Sequence, residues 1–441
     1  MAQSKDDQQE IVRLVREINF AIELSMLDVT IRGHTLTLQA VKGIHWLQSH
    51  GATEFQKIHE SFSRVEKGVD QLTKAKSLKR LGAVKGFAFG AGYERGQCVA
   101  GSRIALLSQL LAWGEDEASI HAFWLNGPAG TGKTAISETL CSELSKRGLL
   151  GASFFCSVKT EDLSEVRHII PTLAKALAEI HPRFGNALVA ALDSEMRDPV
   201  WQMDVAEQYE FLILRPAREA FQNDHECIIL CVDALDECRN KRALKEFLLA
   251  VISMPPPPFL KVFFTSRPES SLKDELDTPS CVALRQTLRL HEIKDTFVRA
   301  DVGLFVHHEL GRIQLLRDAY PGDQWPPPEV QVILERSGTF FIVAATIMRY
   351  IDDEAGDTVE GFREFHRLGG SVPSGVHSLY QRILQTAFGI LKPKEKENAL
   401  SCLSLLCCGP WDFAGPERQA QVRGATVWLI HRNQTLASKP T

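Results

Sequence analysis

The sequence predicts an α/β fold with a mostly parallel sheet, flanked by an N-terminal helical region and a C-terminal helical subdomain. Three observations support this prediction. A glycine-rich loop lies at residues 127–134 between an apolar run and a helical pattern, and a second apolar run ends in an acidic cluster at residues 233–237. Strand and helix patterns also alternate along this part of the chain. Such alternation is typical of parallel sheets whose strands are joined by helices.

The first of four predicted segments, residues 1–90, is expected to be helical. Apolar residues recur in it at helical spacing, at Ile11, Leu14, Val15, Ile18, Val65, Val69 and Leu72. Two interpretations are open. One is an effector or adaptor module, in its sharpest form a membrane-disrupting bundle, and the other is a helical layer that packs on the next segment. Glycines at positions 82, 86, 90 and 92 then predict a flexible joint.

The second segment, residues 91–290, carries a complete phosphate-binding motif. Residues 127–134 read GPAGTGKT and match G-x-x-x-x-G-K-[ST]. In such a loop amide N–H groups point at an anion, Lys133 can reach the β- and γ-phosphates, and Thr134 can bind Mg²⁺. The flanking patterns predict a buried strand at 123–125 and a helix at 135–147. The predicted nucleotide contacts are Gly127, Pro128, Ala129, Gly130, Thr131, Gly132, Lys133, Thr134 and Ala135.

An acidic cluster follows the second predicted strand. Residues 227–232, CIILCV, form a continuous apolar run, which is typical of a parallel strand buried on both faces. Because open α/β sheets bind ligands at the carboxyl ends of their strands, we expect Asp233 to hold Mg²⁺ with Thr134, through a water molecule. Asp236 and Glu237 lie within reach of a water that faces the γ-phosphate. One of these two is the candidate general base, and Glu237 is preferred.

A third strand is predicted to end at the same edge of the sheet. Residues 261–265, KVFFT, are rich in β-forming residues and lead into Ser266 and Arg267. A guanidinium can bond two phosphate oxygens in one plane, so Arg267 is the candidate catalytic sensor of the γ-phosphate. A surface arginine in a loop is the alternative interpretation.

These segments together resemble the NACHT family, the nucleotide-binding switch module of the STAND class of P-loop NTPases. The resemblance is strongest to the fungal set related to the nephrocystin-3-like N-terminal region. It is carried by FWLNGPAGTGKTAI at 123–136, CVDALDEC at 231–238 and FFTSRPE at 263–269. Gly101-Ser102-Arg103 is similar to a G-T-R segment of fungal members, and residues 337–349 are similar to their helical-subdomain segment. The resemblance spans about residues 90–406.

The resemblance implies a cytoplasmic, NLR-like signalling protein that works as an ATP-binding, slowly hydrolysing molecular switch in innate immunity, self/non-self recognition or cell death. It implies ATP or ADP and Mg²⁺ as ligands, with Arg103 as a further nucleotide-binding residue. It also implies a homo-oligomer on activation, with an unknown protein trigger and downstream partner. The alternative functions are a conventional remodelling ATPase and a nucleotide-stabilised scaffold without turnover. The intact motifs argue against the scaffold.

The last two segments complete the chain. Residues 291–408 are predicted to form a helical subdomain that is interrupted by a proline-containing loop at 320–328. Residues 409–441 have weak periodicity and are interpreted as an irregular tail or a truncated end.

Composition agrees with an intracellular globular protein. The 441 residues are 44% hydrophobic, and the net charge of −5 gives no electrostatic case for a nucleic-acid ligand. Several of the ten cysteines fall in predicted strands and helices, which indicates buried free thiols in a reducing compartment. The amino terminus is polar and the apolar runs are too short to span a bilayer. Membrane contact is therefore expected only if the N-terminal region is an effector.

Overall fold

A computed structural model describes most of residues 52–353 of the chain. The described residues are 13, 52–84, 88–89, 96–194, 199–221, 227–254, 256–268, 276–353, 359 and 362–363. The helical pattern predicted at 11–18 and the tail predicted at 409–441 therefore lie outside them, apart from Arg13. The chain divides into two compact units, of which the first holds the sheet and the second holds the helices after residue 290 together with Val99–Ile104 and Pro128–Gly132.

The first unit is built on a five-stranded sheet in which every neighbouring pair is parallel. Its strands are β1 (Ala122–Asn126), β2 (Leu150–Phe155), β3 (Ile228–Asp233), β4 (Leu260–Ser266) and β5 (Arg285–Arg289). Every residue of β1, β3 and β4 is buried, as their continuous apolar runs predict. The predicted α/β fold with a mostly parallel sheet is confirmed.

The order of the strands is β2-β3-β4-β1-β5. Strand β4 therefore lies between β1 and β3, with Leu125 beside Thr265 and Val232 beside Phe264. Because all strands run the same way, their carboxyl ends meet at one edge of the sheet. This edge collects the glycine-rich loop after β1, the acidic cluster after β3 and the arginine after β4.

Helices flank this sheet. They are α1 (Ala52–Lys79), α2 (Ile104–Glu115), α3 (Lys133–Lys146), α4 (Glu161–Ser164), α5 (Ile169–Ile180), α6 (Pro182–Ser194), α7 (Val205–Tyr209), α8 (Arg215–Ala220), α9 (Lys241–Ser253) and α10 (Pro279–Ala283). Helix α9 shows why such segments are helical. Leu244, Leu248 and Val251 recur at helical spacing and are buried, while the Asn240 side chain caps the first turn by accepting the Ala243 N–H at 3.0 Å.

Helix α1 is the main part of the predicted N-terminal region that the structure describes. Its last turn docks on α6, where the Ser77 hydroxyl donates to Asp193 Oδ1 at 2.8 Å. Arg80, just beyond the helix, donates to the Leu192 carbonyl at 2.8 Å. Val69 and Leu72, farther from this contact, are about half exposed. Whether the region is an effector or a packing layer stays a prediction.

Lys261 anchors the amino end of β4. Its position in an apolar run did not predict this role. Its side chain is buried, and its ammonium donates to the Trp113 carbonyl and to the Ser119 hydroxyl, each at 2.7 Å. The same group lies 5.4 Å from the centre of the Trp113 ring. Burial lowers the pKa of Lys261. These bonds fix the connection between α2 and β1 to the start of β4.

The second unit has a helical core of its own. Its helices are α11 (Asp295–Arg312), α12 (Gln314–Ala319), α13 (Val330–Ser337) and α14 (Phe341–Asp353). Buried residues four apart line the facing sides of α11 and α14: Val302, Val306 and Leu310 on the first, Val343, Ile347 and Ile351 on the second. None of the helices in the described part of the chain is long and apolar enough to cross a membrane.

Gly151 in β2 offers a test of how tightly the sheet is packed. A methyl group added there would lie 2.4 Å from Ile228 Cγ2 and 3.0 Å from Leu177 Cδ1, so Gly151→Ala should lower the free energy of unfolding by about 1–3 kcal/mol. The control is Gly68→Ala in α1, where a methyl group meets nothing within 4 Å and should add up to about 1 kcal/mol. Chemical denaturation measures both, and equal midpoints for the two variants would contradict this packing.

Candidate functional site

The glycine-rich loop connects the end of β1 at Asn126 with the start of α3 at Lys133. Gly130 and Gly132 adopt φ angles of +77° and +89°, which glycine reaches without a steric cost. In the first unit, the Lys133 ammonium turns back on the loop and donates to the Gly127 carbonyl at 2.6 Å. The loop thus has the backbone form that an anion site needs, with its lysine held by the loop itself.

Lys133 lies in a field of mixed charges. Burial lowers its pKa, while the nearby carboxylates of Asp236 and Asp233 act in the opposite direction. Arg267 and Glu237 also act on it electrostatically. The structure therefore brings together the lysine, the three acids and the arginine that the sequence singled out as separate motifs.

Asp233 is the most firmly held carboxylate of the site. It is 2% exposed, and its Oδ1 accepts hydrogen bonds from the hydroxyls of Ser137 and Thr265, each at 2.6 Å. Ser137 comes from α3 and Thr265 from the end of β4. Sequence reasoning missed both. The available signals were the helical spacing of Ser137 from Thr134 and the position of Thr265 at the end of a strand.

The backbone turns sharply after Asp233. Ala234 adopts a left-handed conformation with φ 57° and ψ 44°, which costs a residue with a Cβ atom roughly 1–2 kcal/mol. Its N–H donates to the Thr265 hydroxyl at 2.9 Å. A short turn of 3₁₀-helix at Leu235–Glu237 follows. Strained backbone of this kind is found where surrounding contacts hold it for a function, and here it places the two remaining acids.

Asp236 and Arg267 form a two-point contact. The Arg267 Nε lies 2.8 Å from Asp236 Oδ2, and the Arg267 backbone N–H donates to Oδ1 at 3.0 Å. The Asp236 side chain is 5% exposed, whereas that of Arg267 is 50% exposed. Both oxygens of Asp236 are therefore engaged by Arg267.

Glu237 has a different environment from its neighbour. Its Oε2 accepts the backbone N–H of Val158 at 3.0 Å. Its residue is only partly buried. The segment after β2 thus fixes one carboxylate oxygen of Glu237. The other oxygen takes no part in that hydrogen bond.

The donor set fits Mg²⁺ and a phosphate chain. Thr134 is exposed at the start of α3, and the buried Asp233 carboxylate is bonded to Ser137 one turn farther along that helix. Hydroxyl and carboxylate oxygens are the ligands that Mg²⁺ prefers. The loop amides and Lys133 suit an anion. Arg103, by contrast, lies in the second unit, where its buried side chain donates to the Thr131 carbonyl at 3.1 Å.

Comparison with protein families gives one match. Residues 101–267 match the family model described as nephrocystin 3, N-terminal. The matched range begins at Gly101 and ends at Arg267, so it contains the glycine-rich loop, the acidic cluster and the arginine. The resemblance to NACHT- and STAND-like P-loop NTPases is thereby confirmed over this range. No curated protein sequence matches the chain.

Solved structures show distant similarity. C. elegans PCH-2 has a TM-score of 0.35 and 12% identity, covering 65% of this chain and 76% of that one. The Drosophila ORC bound to DNA has a TM-score of 0.37 and 12% identity, and the alignment covers 76% of this chain and 87% of that one. A Walker-type ATPase of Pyrococcus abyssi has a TM-score of 0.37 and 13% identity, and the alignment covers 75% of this chain and 91% of that one.

The bond from Ser137 to Asp233 can be tested directly. Ser137→Ala removes one of two hydroxyl donors from a buried carboxylate and should lower the free energy of unfolding by about 1–3 kcal/mol. It should also raise the Mg²⁺ concentration needed for half-maximal nucleotide binding. Ser145→Ala, at an exposed position of the same helix, is the matched control and should change stability by less than about 0.5 kcal/mol. Equal behaviour of the two variants would refute the role of Ser137.

Proposed function

We propose that this chain is an ATP-dependent molecular switch of the NACHT and STAND type, in which slow hydrolysis resets the state. Its setting would be a fungal NLR-like signalling protein of the cytoplasm, active in innate immunity, self/non-self recognition or cell death, which forms a homo-oligomer when a protein trigger acts on it. One observation carries the proposal. The two cations of the candidate site are held by groups of the chain itself: Lys133 by the Gly127 carbonyl and Arg267 by the Asp236 carboxylate.

These contacts of Lys133 and Arg267 favour slow ATP turnover over rapid, continuous hydrolysis. A nucleotide has to replace the carbonyl that Lys133 contacts, and a sensor role for Arg267 requires it to leave Asp236. Each exchange gives up an existing charge-assisted contact, so only part of the new interaction energy appears as binding or catalysis. A remodelling ATPase would need these exchanges to occur in every rapid cycle.

The chain supplies the following roles in the proposed reaction. The loop amides and Lys133 would bind the phosphates, and Thr134 and Asp233 would hold Mg²⁺. The ion, when bound, neutralises charge on the phosphate oxygens. Ser137 and Thr265 keep the Asp233 carboxylate in one orientation. Arg267 is positioned by Asp236 and senses the γ-phosphate.

Glu237 is the better candidate for the general base. A base must be free to accept a proton from water, and both oxygens of Asp236 already accept bonds from Arg267. In Glu237 only Oε2 accepts such a hydrogen bond, from the Val158 N–H. The same N–H fixes the carboxylate's orientation. Asp236 is therefore assigned to positioning Arg267.

Binding and turnover test the switch. Lys133→Ala removes a charge-assisted contact worth roughly 1.5–3 kcal/mol, so affinity for MgATP should fall about tenfold or more in a fluorescent-nucleotide titration. Lys146→Ala on the same helix, where the lysine pairs with Glu143 at the surface, should bind normally. The wild-type chain should bind tightly and hydrolyse slowly. Steady rapid turnover would instead indicate a remodelling ATPase, and binding without any turnover would indicate a scaffold.

The two acids are separated by isosteric substitutions. Glu237→Gln keeps the shape of the side chain and removes the base, so single-turnover hydrolysis should fall by about 100-fold or more while MgATP affinity is retained. Asp236→Asn weakens the anchoring of Arg267 and should reduce the rate less. If Asp236→Asn abolishes hydrolysis and Glu237→Gln does not, the base is Asp236 and the assignment is wrong.

A further inference from the structure

Arg103 is the centre of a buried polar contact in the second unit. Its side chain is 3% exposed, its Nη2 donates to the Thr131 carbonyl at 3.1 Å, and its Nε lies 3.6 Å from Asp301 Oδ2. Its guanidinium carbon lies 5.1 Å from the centre of the Phe341 ring. Arg103, which immediately precedes α2, thus contacts the tip of the glycine-rich loop, α11 and α14.

The backbone of Arg103 is also held in an unusual form. Its φ angle is +56°, in the left-handed region that residues with a Cβ atom rarely adopt. Its N–H donates to Asp301 Oδ1 at 3.0 Å, so one carboxylate on α11 holds both the backbone and the guanidinium of the same arginine. Such a conformation persists only where the surroundings fix it. Asp301 supplies that restraint.

Contacts within the second unit orient two successive peptides of the loop. The Thr131 carbonyl accepts from Arg103, and the Gly130 carbonyl accepts from the Ile342 N–H at 3.3 Å. In a planar trans peptide the C=O and N–H point in nearly opposite directions. The N–H groups of Gly132 and Thr131 therefore point away from Arg103 and Ile342. Successive amides turned to one side are what an anion-binding loop requires.

Ile342 approaches the loop so closely that its contact is specific to glycine. A methyl group built at Gly130 would lie 2.3 Å from Ile342 Cγ2, and one at Gly132 would lie 3.8 Å from the Phe341 ring. The first turn of α14 is therefore seated directly on the tip of the loop. This contact and the Arg103 bond act on adjacent peptides.

We propose that Arg103 is a positioning residue that presets the phosphate-binding form of residues 130–132 and that Asp301 holds it there. This inference rests on the proposed nucleotide-binding function and adds a residue that acts on the phosphates through the loop backbone. It differs from direct contact with the nucleotide base or sugar. Helix α11 thereby influences phosphate affinity without touching the ligand.

The test uses Arg103→Gln, Asp301→Asn, the double variant and the conservative Arg103→Lys in the full chain. The control is Arg299→Gln, an exposed arginine on α11. Affinity for MgATP is measured by fluorescent-nucleotide titration, and affinity for inorganic tripolyphosphate is measured by displacement of that nucleotide. Melting by circular dichroism identifies the variants that fold. Tripolyphosphate is informative because it has phosphates and lacks a base and a sugar.

Loss of one charge-assisted contact to the loop should weaken MgATP and tripolyphosphate alike, by about tenfold in Arg103→Gln and by a smaller factor in Asp301→Asn. The double variant should be no weaker than Arg103→Gln, because Asp301 acts through Arg103. Arg103→Lys should recover part of the loss, and Arg299→Gln should match the wild type. If Arg103→Gln does not fold, the comparison of Asp301→Asn with Arg299→Gln decides.

Two results would overturn the inference. Weakened MgATP with unchanged tripolyphosphate would place Arg103 against the base or sugar, and unchanged affinity for both in folded variants would leave it a purely structural residue. Failure of the proposed function is separate. It would appear as equal MgATP binding by the wild type and Lys133→Ala, whatever the Arg103 variants do.

Discussion

The candidate site depends on keeping the carboxylate of Asp233 buried and hydrogen-bonded. A buried carboxylate without partners is strongly destabilising, and here two hydroxyls, from Ser137 and Thr265, supply the missing donors. Those donors come from the helix that follows the glycine-rich loop and from the strand beside β3. The bond network therefore joins α3, the acidic cluster and β4 at one point. Thr265 also accepts the N–H of Ala234, so the same hydroxyl supports the strained turn that leads to Asp236 and Glu237.

This arrangement requires the observed strand order. Thr265 can reach Asp233 because β4 pairs with β3, and its next residue reaches the loop because β4 also pairs with β1, where the Gly127 N–H donates to the Ser266 carbonyl at 3.3 Å. The other end of β4 is fixed by the buried Lys261, which binds the segment between α2 and β1. A strand held at both ends keeps its carboxyl end in place, which a preorganised site needs.

Local patterns in the sequence were enough to predict the parallel sheet, the three strands of the site and the residues that follow them. Continuous apolar runs and the GPAGTGKT spacing are local signals, so one sequence contains them in full. The partners of those residues were not predicted. Whether Ser137 faces Asp233, whether Asp236 pairs with Arg267, and whether Lys261 is buried all depend on which strands are neighbours and which side of a helix faces the sheet. No motif spacing records that order. The sequence preferred Glu237 over Asp236 as the base, and the physical difference between them is the contact of Arg267 with both oxygens of Asp236.

The pairing of Arg267 with Asp236 also bears on how a switch could tell its two nucleotides apart. A ligand shifts a conformational equilibrium only through its different affinity for the two states. Under the proposed function, ADP has no γ-phosphate with which to compete for Arg267, so the pair with Asp236 can stay intact when ADP is bound. ATP offers the guanidinium a second anion, and release from Asp236 would then change the constraint on the turn that carries Glu237. Discrimination would thus arise from an exchange of partners at a half-exposed arginine, next to a base that becomes useful only when the third phosphate is present.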